Sequence, residues 1–276
     1  QKRLAQTKSW IKELDEETGR VHGYVNPNGA VTSRMTHSHP NMAQIPSSSS
    51  PYGEDCRSCW TVPENYRLVG IDAAQLELRM LAHYLNDKDY TNEILNGDIH
   101  TTNQRLAEIE SRDQAKTFIY ALLYGAGDAK LGSVVGRGRA VGKGLRQRFF
   151  DNLPAFKKLT DRVQREAKSG FVKGLDGRKL TVRSEHAALN TLLQGAGSIV
   201  MKQALIVLNN KIAKHGYDAK FVANVHDEWQ IECSIDDAVD VGKLGVLALR
   251  EAGCMFKLNC PLDGAYKVGE NWSETH

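Results

Sequence analysis

The chain has 276 residues, 41% hydrophobic and 25% charged, enough to bury a large core as one big domain or two smaller ones, and the balance reads as soluble and globular. No apolar run reaches membrane-spanning length and the opening QKRLAQTKSW has no signal-peptide apolar region, so composition speaks against a membrane span and a secretory leader. The net charge of +3 is by itself a weak pointer to a polyanionic partner.

Residues 1 to 20 carry a short amphipathic helix signal in Leu4, Trp10, Ile11 and Leu14, then an acidic turn; the missing initiator Met reads as a processed or excised piece. From Val21 the sequence becomes turn-rich, with Pro and Gly breaking every run and Asn28-Gly29 marking a hairpin turn. Arg34, Asn41 and Gln44 are the polar candidates on these loops, and Ser47 to Ser50 with Pro51 read as an exposed, flexible link. Cys56 and Cys59 form a CxxC pair, but zinc would need two more ligands, and Cys254 with Cys260 have the wrong spacing for a second knuckle. Five cysteines, an odd number, point to a reducing compartment, and the pair reads as small buried residues.

Tyr66 to Ile71 predicts a short strand ending at Asp72, with a helix, LELRMLAHYL, directly after it. Asp72 then stands at a strand end before a turn, where carboxylates project into clefts, and Glu77 lies little more than a turn further on. Either could equally serve as a helix-start cap. Gly97, Asp98, Ile99 and His100 lead into another helix.

The stretch Arg112 to Gly125, RDQAKTFIYALLYG, organises the rest. Arg112, Lys116, Tyr120 and Tyr124 recur every four residues and share one helical stripe, while Phe118, Ile119, Leu122 and Leu123 supply an apolar back. Two cations in the first half of a helix oppose its macrodipole, so an anion should offset them. A polyphosphate would, with the tyrosines offering faces for a flat base; a solvated basic turn with buried tyrosines is the plain alternative. The following GAGDAKLGSVVGRGRAVGKG fails as a phosphate loop, since Gly144 follows Lys143 where Ser or Thr is needed, and it reads as a flexible basic connection. Residues 129 to 183 hold 15 Lys/Arg against 4 Asp/Glu, an excess of +11 that leaves −8 for the remainder, so basic surface is concentrated as a phosphate-tracking groove requires.

Leu175-Asp176-Gly177-Arg178 closes a hairpin, and Ala187 to Leu208 predicts a long amphipathic helix with Asn190 and Gln194 on one face. FVANVHDEWQIEC alternates apolar residues on both sides of His226-Asp227-Glu228, a hairpin with a histidine and two acids at its tip. Three ionisable groups there are costly unless they meet a ligand or metal. Asp72 and Asp227, 155 residues apart, can meet if both strands share a sheet. Two carboxylates with phosphate oxygens suit Mg²⁺, and paired ions would lower the pKa of an attacking hydroxyl and stabilise a leaving pyrophosphate. Arg112, Lys116 and His100 would clamp a triphosphate in line.

The segments DAAQLELR (72–79), RDQAKTFIYALLYG (112–125) and VHDE (225–228) resemble motifs A, B and C of the family A DNA polymerases, the DNA polymerase I family. TSRMTHSHPNMAQIP, GDIHTTNQ and HAALNTLLQ resemble that family's flanking segments, closest in wording to its bacteriophage replicative branch, and the resemblance runs from about residue 4 to Trp272. It implies an α+β fold, with a palm built on an antiparallel sheet and a mostly helical fingers subdomain. The implied division is a thumb remnant or linker at 1–20, palm at 21–99 and 186–276, and fingers at 100–185.

By the same match, Asp72 and Asp227 would hold two Mg²⁺ ions, with Glu228 and Lys116 also in the catalytic set. Arg112, Lys116, Tyr120, Tyr124, His100, Glu77 and Gln75 would contact the dNTP; Glu77 would be the steric gate against a ribose 2′-OH, and Tyr120 implies acceptance of dideoxynucleotides. Arg34, Asn41, Gln44, Asn190, Gln194 and His226 would touch primer-template DNA, with Arg34, Asn190, Gln194 and His226 at the primer terminus and in the minor groove, where universal acceptors check pair shape. Ala74 departs from the usual Ser of motif A. Nothing resembles the proofreading exonuclease, and at most the end of a thumb precedes Val21. The expected enzyme therefore grips duplex weakly, with a separate chain able to supply the missing parts, and works in the cytoplasm, that of a host if phage-encoded. The competing readings are a single-subunit RNA polymerase, which Glu77 and Glu228 oppose, and a catalytically silent nucleic-acid-binding fragment.

Overall fold

The structure, a computed structural model, describes residues 1–276 apart from the side chain of Lys2. It is α+β and divides into two units of internal contact: residues 1–76, 198–257 and 261–276 form the first, and 77–197 with 258–260 the second.

The first unit opens with α1 (Lys2–Lys12), a pair of short strands β1 (Tyr24–Asn26) and β2 (Thr36–Ser38), and α2 (Gly53–Ser58). Asn28-Gly29 was expected to close a hairpin; the strands are instead joined by residues 27–35, because the antiparallel register pairs Asn26 with Thr36. β3 (Tyr66–Ala73) follows, and the predicted helix after it is α3 (Leu76–Leu85). The second unit then contains α4 (Lys88–Asn96), α5 (Ile99–Ala107), α6 (Arg112–Leu123), α7 (Asp128–Val134), α8 (Arg139–Asn152), α9 (Pro154–Ala167) and the hairpin β4 (Phe171–Lys173) with β5 (Lys179–Thr181). The chain passes along α10 (Ala188–His215) back into the first unit, which finishes with β6 (Ala219–Val225), β7 (Glu228–Ser234), α11 (Ala238–Met255) and β8 (Gly264–Gly269).

The main sheet has the order β6-β7-β3-β8, with every neighbour antiparallel. β3 and β7 are its interior strands and are buried along nearly their whole length. β7 alternates strictly, so Trp229, Ile231 and Cys233 share one face, and Glu228, Gln230 and Glu232 the other. Helix α11 packs against β3, β7 and β8, and two of its glycines allow the close approach. A Cβ at Gly242 would collide with the Tyr266 ring, and one at Gly245 with the Ile71 side chain. The polar side of β7 is served by the ends of the unit: Arg20 binds the buried Glu232 at 2.8 Å, and the Thr275 hydroxyl donates to Gln230 Oε1 at 2.8 Å.

In the second unit Phe118, Phe149 and Phe156 from α6, α8 and α9 meet edge to face, with centroids 5.8 and 5.2 Å apart. The glycine-rich stretch read as a flexible connection is a packed helical pair, α7 and α8. A Cβ at Gly132 would strike the Gly138 carbonyl and one at Gly142 the Asp128 carbonyl, so those glycines serve backbone approach. Helix α10 is also longer than expected and not amphipathic. Its composition and length would suit a bilayer, but 67% of its apolar window is buried in the fold. Cys56 is buried as expected, whereas Cys59 is exposed.

Candidate active site

Strand β3 carries Asp72 to the end of the main sheet where the β6–β7 hairpin turns. Asp72 lies opposite Glu228 in the register, and the Ala73 amide donates to the Asp227 carbonyl at 2.9 Å, so Asp72 near the end of β3 and Asp227 in the β6–β7 turn come to the same end of the sheet. His226 takes the left-handed conformation, φ 59°, that lets two residues reverse the chain between Val225 and Glu228. Asp72 remains open to solvent, yet partial loss of hydration, then repulsion from Asp227 and Glu228, pushes its pKa up to about 6.

Glu228 was expected at the tip but is the first residue of β7 and is 5% exposed. Both its oxygens are engaged: Trp272 Nε1 and Gln230 Nε2 donate to Oε1 at 2.5 and 2.6 Å, and His276 Nδ1 lies 2.9 Å from Oε2. Burial opposes its charge, but these hydrogen bonds and the attraction of His276 outweigh it and bring the pKa below the ordinary carboxylate value. Among the described residues no group of three or more His, Cys, Asp or Glu side chains is placed to hold a metal ion. The donors left facing outward are the two aspartates, two hard oxygen groups whose mutual repulsion a divalent cation would relieve. That set fits an ion that takes its remaining ligands from phosphates and water.

The second unit presents the stripe. Helix α6 is capped by Ser111, whose side chain accepts from the Gln114 amide at 3.3 Å, and it ends at Gly125, which has φ 74° and no room for a Cβ beside the His186 carbonyl. Ala115, Phe118, Ile119, Leu122 and Leu123 are buried, and Arg112, Lys116 and Tyr124 are exposed, as the four-residue spacing predicts. Part of the anion expected for these cations is a protein group: Asp98 caps α5 through the His100 amide and grips Arg112 in a two-point contact of 2.6 and 3.1 Å. The Arg112 guanidinium first, with further hydrogen bonds, holds Asp98 well below the usual carboxylate range. His100 is buried beside this pair; burial, then Arg112 and Lys116, lower its pKa, and its ring lies 6.3 Å from that of Tyr120. Glu77, in the first turn of α3, accepts from the Tyr124 hydroxyl at 3.1 and 2.9 Å and from Gln194 Nε2 at 3.5 Å. Gln75 is exposed, with φ 51°, in the turn before that helix. Asn190 lies one helical turn before Gln194 on α10, half-buried.

In the first unit Arg34 and His226 line one small hollow with Ser198, whose hydroxyl donates to the Ser33 carbonyl at 2.6 Å. Asn41 is engaged locally, its side chain accepting from the Ala43 amide at 3.1 Å; Gln44 is exposed, its carbonyl taken by Gln6. Sequence reasoning missed Asp98 as the partner of Arg112, and Arg57, Gln230, Trp272 and His276 as the surroundings of Glu228. Asp98 carried a signal, an N-cap aspartate before a helix, and so did Gln230, two residues from Glu228 on the same face of an alternating strand; Arg57, Trp272 and His276 carried none, since their contacts with Glu228 skip long stretches of sequence.

Compared with known proteins, the chain matches the family described as DNA polymerase family A over residues 2–274. It is 44% identical to the DNA-directed DNA polymerases of Enterobacteria phage T3 and Escherichia phage T7, covering 100% of this chain and 44% of each relative. DNA polymerase I of Aquifex aeolicus is 33% identical over 96% of this chain and 48% of its own length. The chain thus spans less than half the length of these relatives. In fold it is similar to the POL domain of Pol1 from M. smegmatis in complex with DNA primer-template and dNTP, with a TM-score of 0.89 at 23% identity, covering 98% of this chain and 51% of that one.

Proposed function

The chain belongs to DNA polymerase family A, and on that premise we propose that it carries the nucleotidyl-transfer site of a template-directed DNA polymerase, which adds deoxynucleotides from dNTPs to a primer 3′-OH. In this reaction the hydroxyl oxygen bonds to the α-phosphorus, the bond to the bridging oxygen breaks, and pyrophosphate leaves while the hydroxyl proton is released. Asp72 and Asp227 would hold divalent cations, a pair of Mg²⁺ ions by this reading. Bound there, the ions would supply acidification of the hydroxyl and neutralisation of the departing charge.

The protein's own part is binding and positioning. Lys116, exposed on α6, offers a point charge to the triphosphate, and His100 a nearby donor. Arg112 joins them by sharing or releasing Asp98, so nucleotide entry competes with an existing ion pair. The Tyr120 and Tyr124 rings, 6.5 Å apart, offer apolar faces to the base. Glu77, held by Tyr124 and Gln194, presents a carboxylate with fixed position to the sugar, where a 2′-OH would meet it. Arg34, Asn41, Gln44, Asn190, Gln194, Gln75 and His226 are assigned to primer, template and the new pair, with Glu228 as a fixed negative charge behind the aspartates. Residues 21–99 and 186–276 are assigned to a palm and 100–185 to fingers; the contact units change over after Leu76 and Gly197, and α4 packs on α5, which packs on α6 and α8. A separate chain supplying thumb and exonuclease, and a cytoplasmic site of action, complete the proposal.

The observation that carries this reading is the placement of Asp72, near the end of β3, beside Asp227 in the β6–β7 turn, with Asp72 held reluctant to ionise by burial first and by Asp227 second. Extension of a primed oligonucleotide in the presence of Mg²⁺ tests it. Deoxynucleotides should be added by the unsubstituted chain and not by Asp227→Ala, which should keep DNA binding nearly intact. Synthesis retained in Asp227→Ala, or efficient ribonucleotide incorporation, would overturn it.

A further inference from the structure

We propose that Arg57 is a positioning residue for the acidic end of the main sheet, holding the charge of Glu228 among protein groups so that Asp72 and Asp227 alone face a divalent cation. The inference rests on the reading of that end as a metal-dependent transfer site.

Arg57 lies in α2 with its side chain 7% exposed. Two neutral groups fix it: Nε donates to the Pro46 carbonyl at 2.9 Å, and the guanidinium carbon sits 4.9 Å from the centroid of the Trp272 ring. Neither neutralises its charge. Nη1 stands 3.9 Å from Glu228 Oε1, too far for a hydrogen bond, and has no other hydrogen-bond partner. A buried guanidinium in this setting is a fixed, preorganised charge directed at one carboxylate.

The carboxylate is held from the other side by Trp272, Gln230 and His276. Trp272 does two things at once: its N–H binds Glu228 Oε1 and its ring face carries Arg57. Arg57 therefore both orients the indole that orients Glu228 and offsets the charge of Glu228. Because Glu228 lies opposite Asp72 in the strand register and next to Asp227 in the chain, whatever offsets Glu228 also sets the field at the aspartate pair.

Loss of Arg57 removes the buried cation facing Glu228 and leaves more of its negative charge directed at the aspartate pair. The site should then bind a divalent cation more tightly while turning over more slowly, because the cation is drawn to a carboxylate that takes no part in alignment. A merely loosened fold would weaken both.

The test is Mn²⁺ binding to the DNA-free chain at pH 8, followed by the paramagnetic resonance signal of free Mn²⁺, beside single-nucleotide addition. Arg57→Gln should bind Mn²⁺ several-fold more tightly than the unsubstituted chain and lose about tenfold in kcat with little change in the KM for dNTP; Arg57→Lys should restore the original affinity. In a Glu228→Gln background, Arg57→Gln should no longer tighten binding. Unchanged or weaker Mn²⁺ binding by a folded Arg57→Gln, or tightening that survives Glu228→Gln, overturns the proposal. Should Arg57→Gln fail to fold, Glu228→Gln alone decides: the stranded cation should weaken Mn²⁺ binding several-fold, and unchanged affinity overturns it. An unsubstituted chain that binds no Mn²⁺ would sink the transfer-site reading and this inference with it, whereas binding by that chain with no response to Arg57 sinks the inference alone.

Discussion

Asp72 pairs a functional assignment with a stability cost that can be measured apart from activity. Its folded-state pKa is raised to about 6 from 3.8, so between those values the folded chain keeps a proton that the unfolded chain has lost. The sign follows: its carboxylate costs nothing below about pH 4, and the cost grows as pH rises through 6. Asp72 is solvent-accessible, so screening reduces the cost to roughly 1 kcal/mol. Asp72→Asn should therefore stabilise the metal-free chain by about that amount at pH 7.5, and the gain should vanish at pH 4, as denaturant melts at the two pH values would register. Glu228 acts in the opposite sense, its lowered pKa giving stability that is lost as pH falls. Among the cations, Arg112 is tied to Asp98 while Lys116 is exposed one turn away. Lys116→Ala should reduce kcat/KM for dNTP by roughly 10- to 100-fold, the loss of one charge-assisted contact, without shifting the melting curve.

At the scale of elements, two helices owe their placement to different physics. Helix α6 is set by its own sequence: a serine cap, an apolar back at helical spacing, and a glycine whose positive φ ends it. Helix α11 is set by the sheet beneath it, through glycines whose lack of a side chain lets the backbone lie on Tyr266 and Ile71. Gly242→Ala gains helix propensity but forces a methyl into the Tyr266 ring. We expect a net loss of about 1–3 kcal/mol, measured by urea unfolding, with β8 shifted against β3. The α7–α8 pair obeys the same rule: glycines that resemble a loop in the sequence are contact points between helices.

For the whole molecule, charge is segregated along the chain. The basic excess of residues 129–183 falls within the second contact unit, and the aspartate pair in the first. Arg137, Arg139 and Lys143, all exposed near the start of α8, are suited to a phosphate backbone. Replacing the three with Gln should weaken primer-template binding without regard to sequence. It should also lower the slope of log affinity against log salt by roughly 0.9 for each phosphate contact removed, measured by fluorescence anisotropy between 50 and 200 mM salt (roughly the range in which such contacts are resolved).

By itself the sequence determined what is periodic or contiguous: the α3 and α6 helices, the strand before Asp72, the β6–β7 and β4–β5 hairpins, and the stripe of Arg112, Lys116, Tyr120 and Tyr124. It also named the two aspartates, because each ends an apolar strand run, though only as acids able to meet. Tertiary structure alone decided that they do come to one end of the sheet, that Glu228 opens β7 and is buried there, and that Arg57, Trp272 and His276 surround it. The physical reason is range. A helix or strand period is written within a few residues, whereas the partners of a buried charge are chosen by which distant segments can compensate it, and the Trp272 to Glu228 bond alone spans 44 residues.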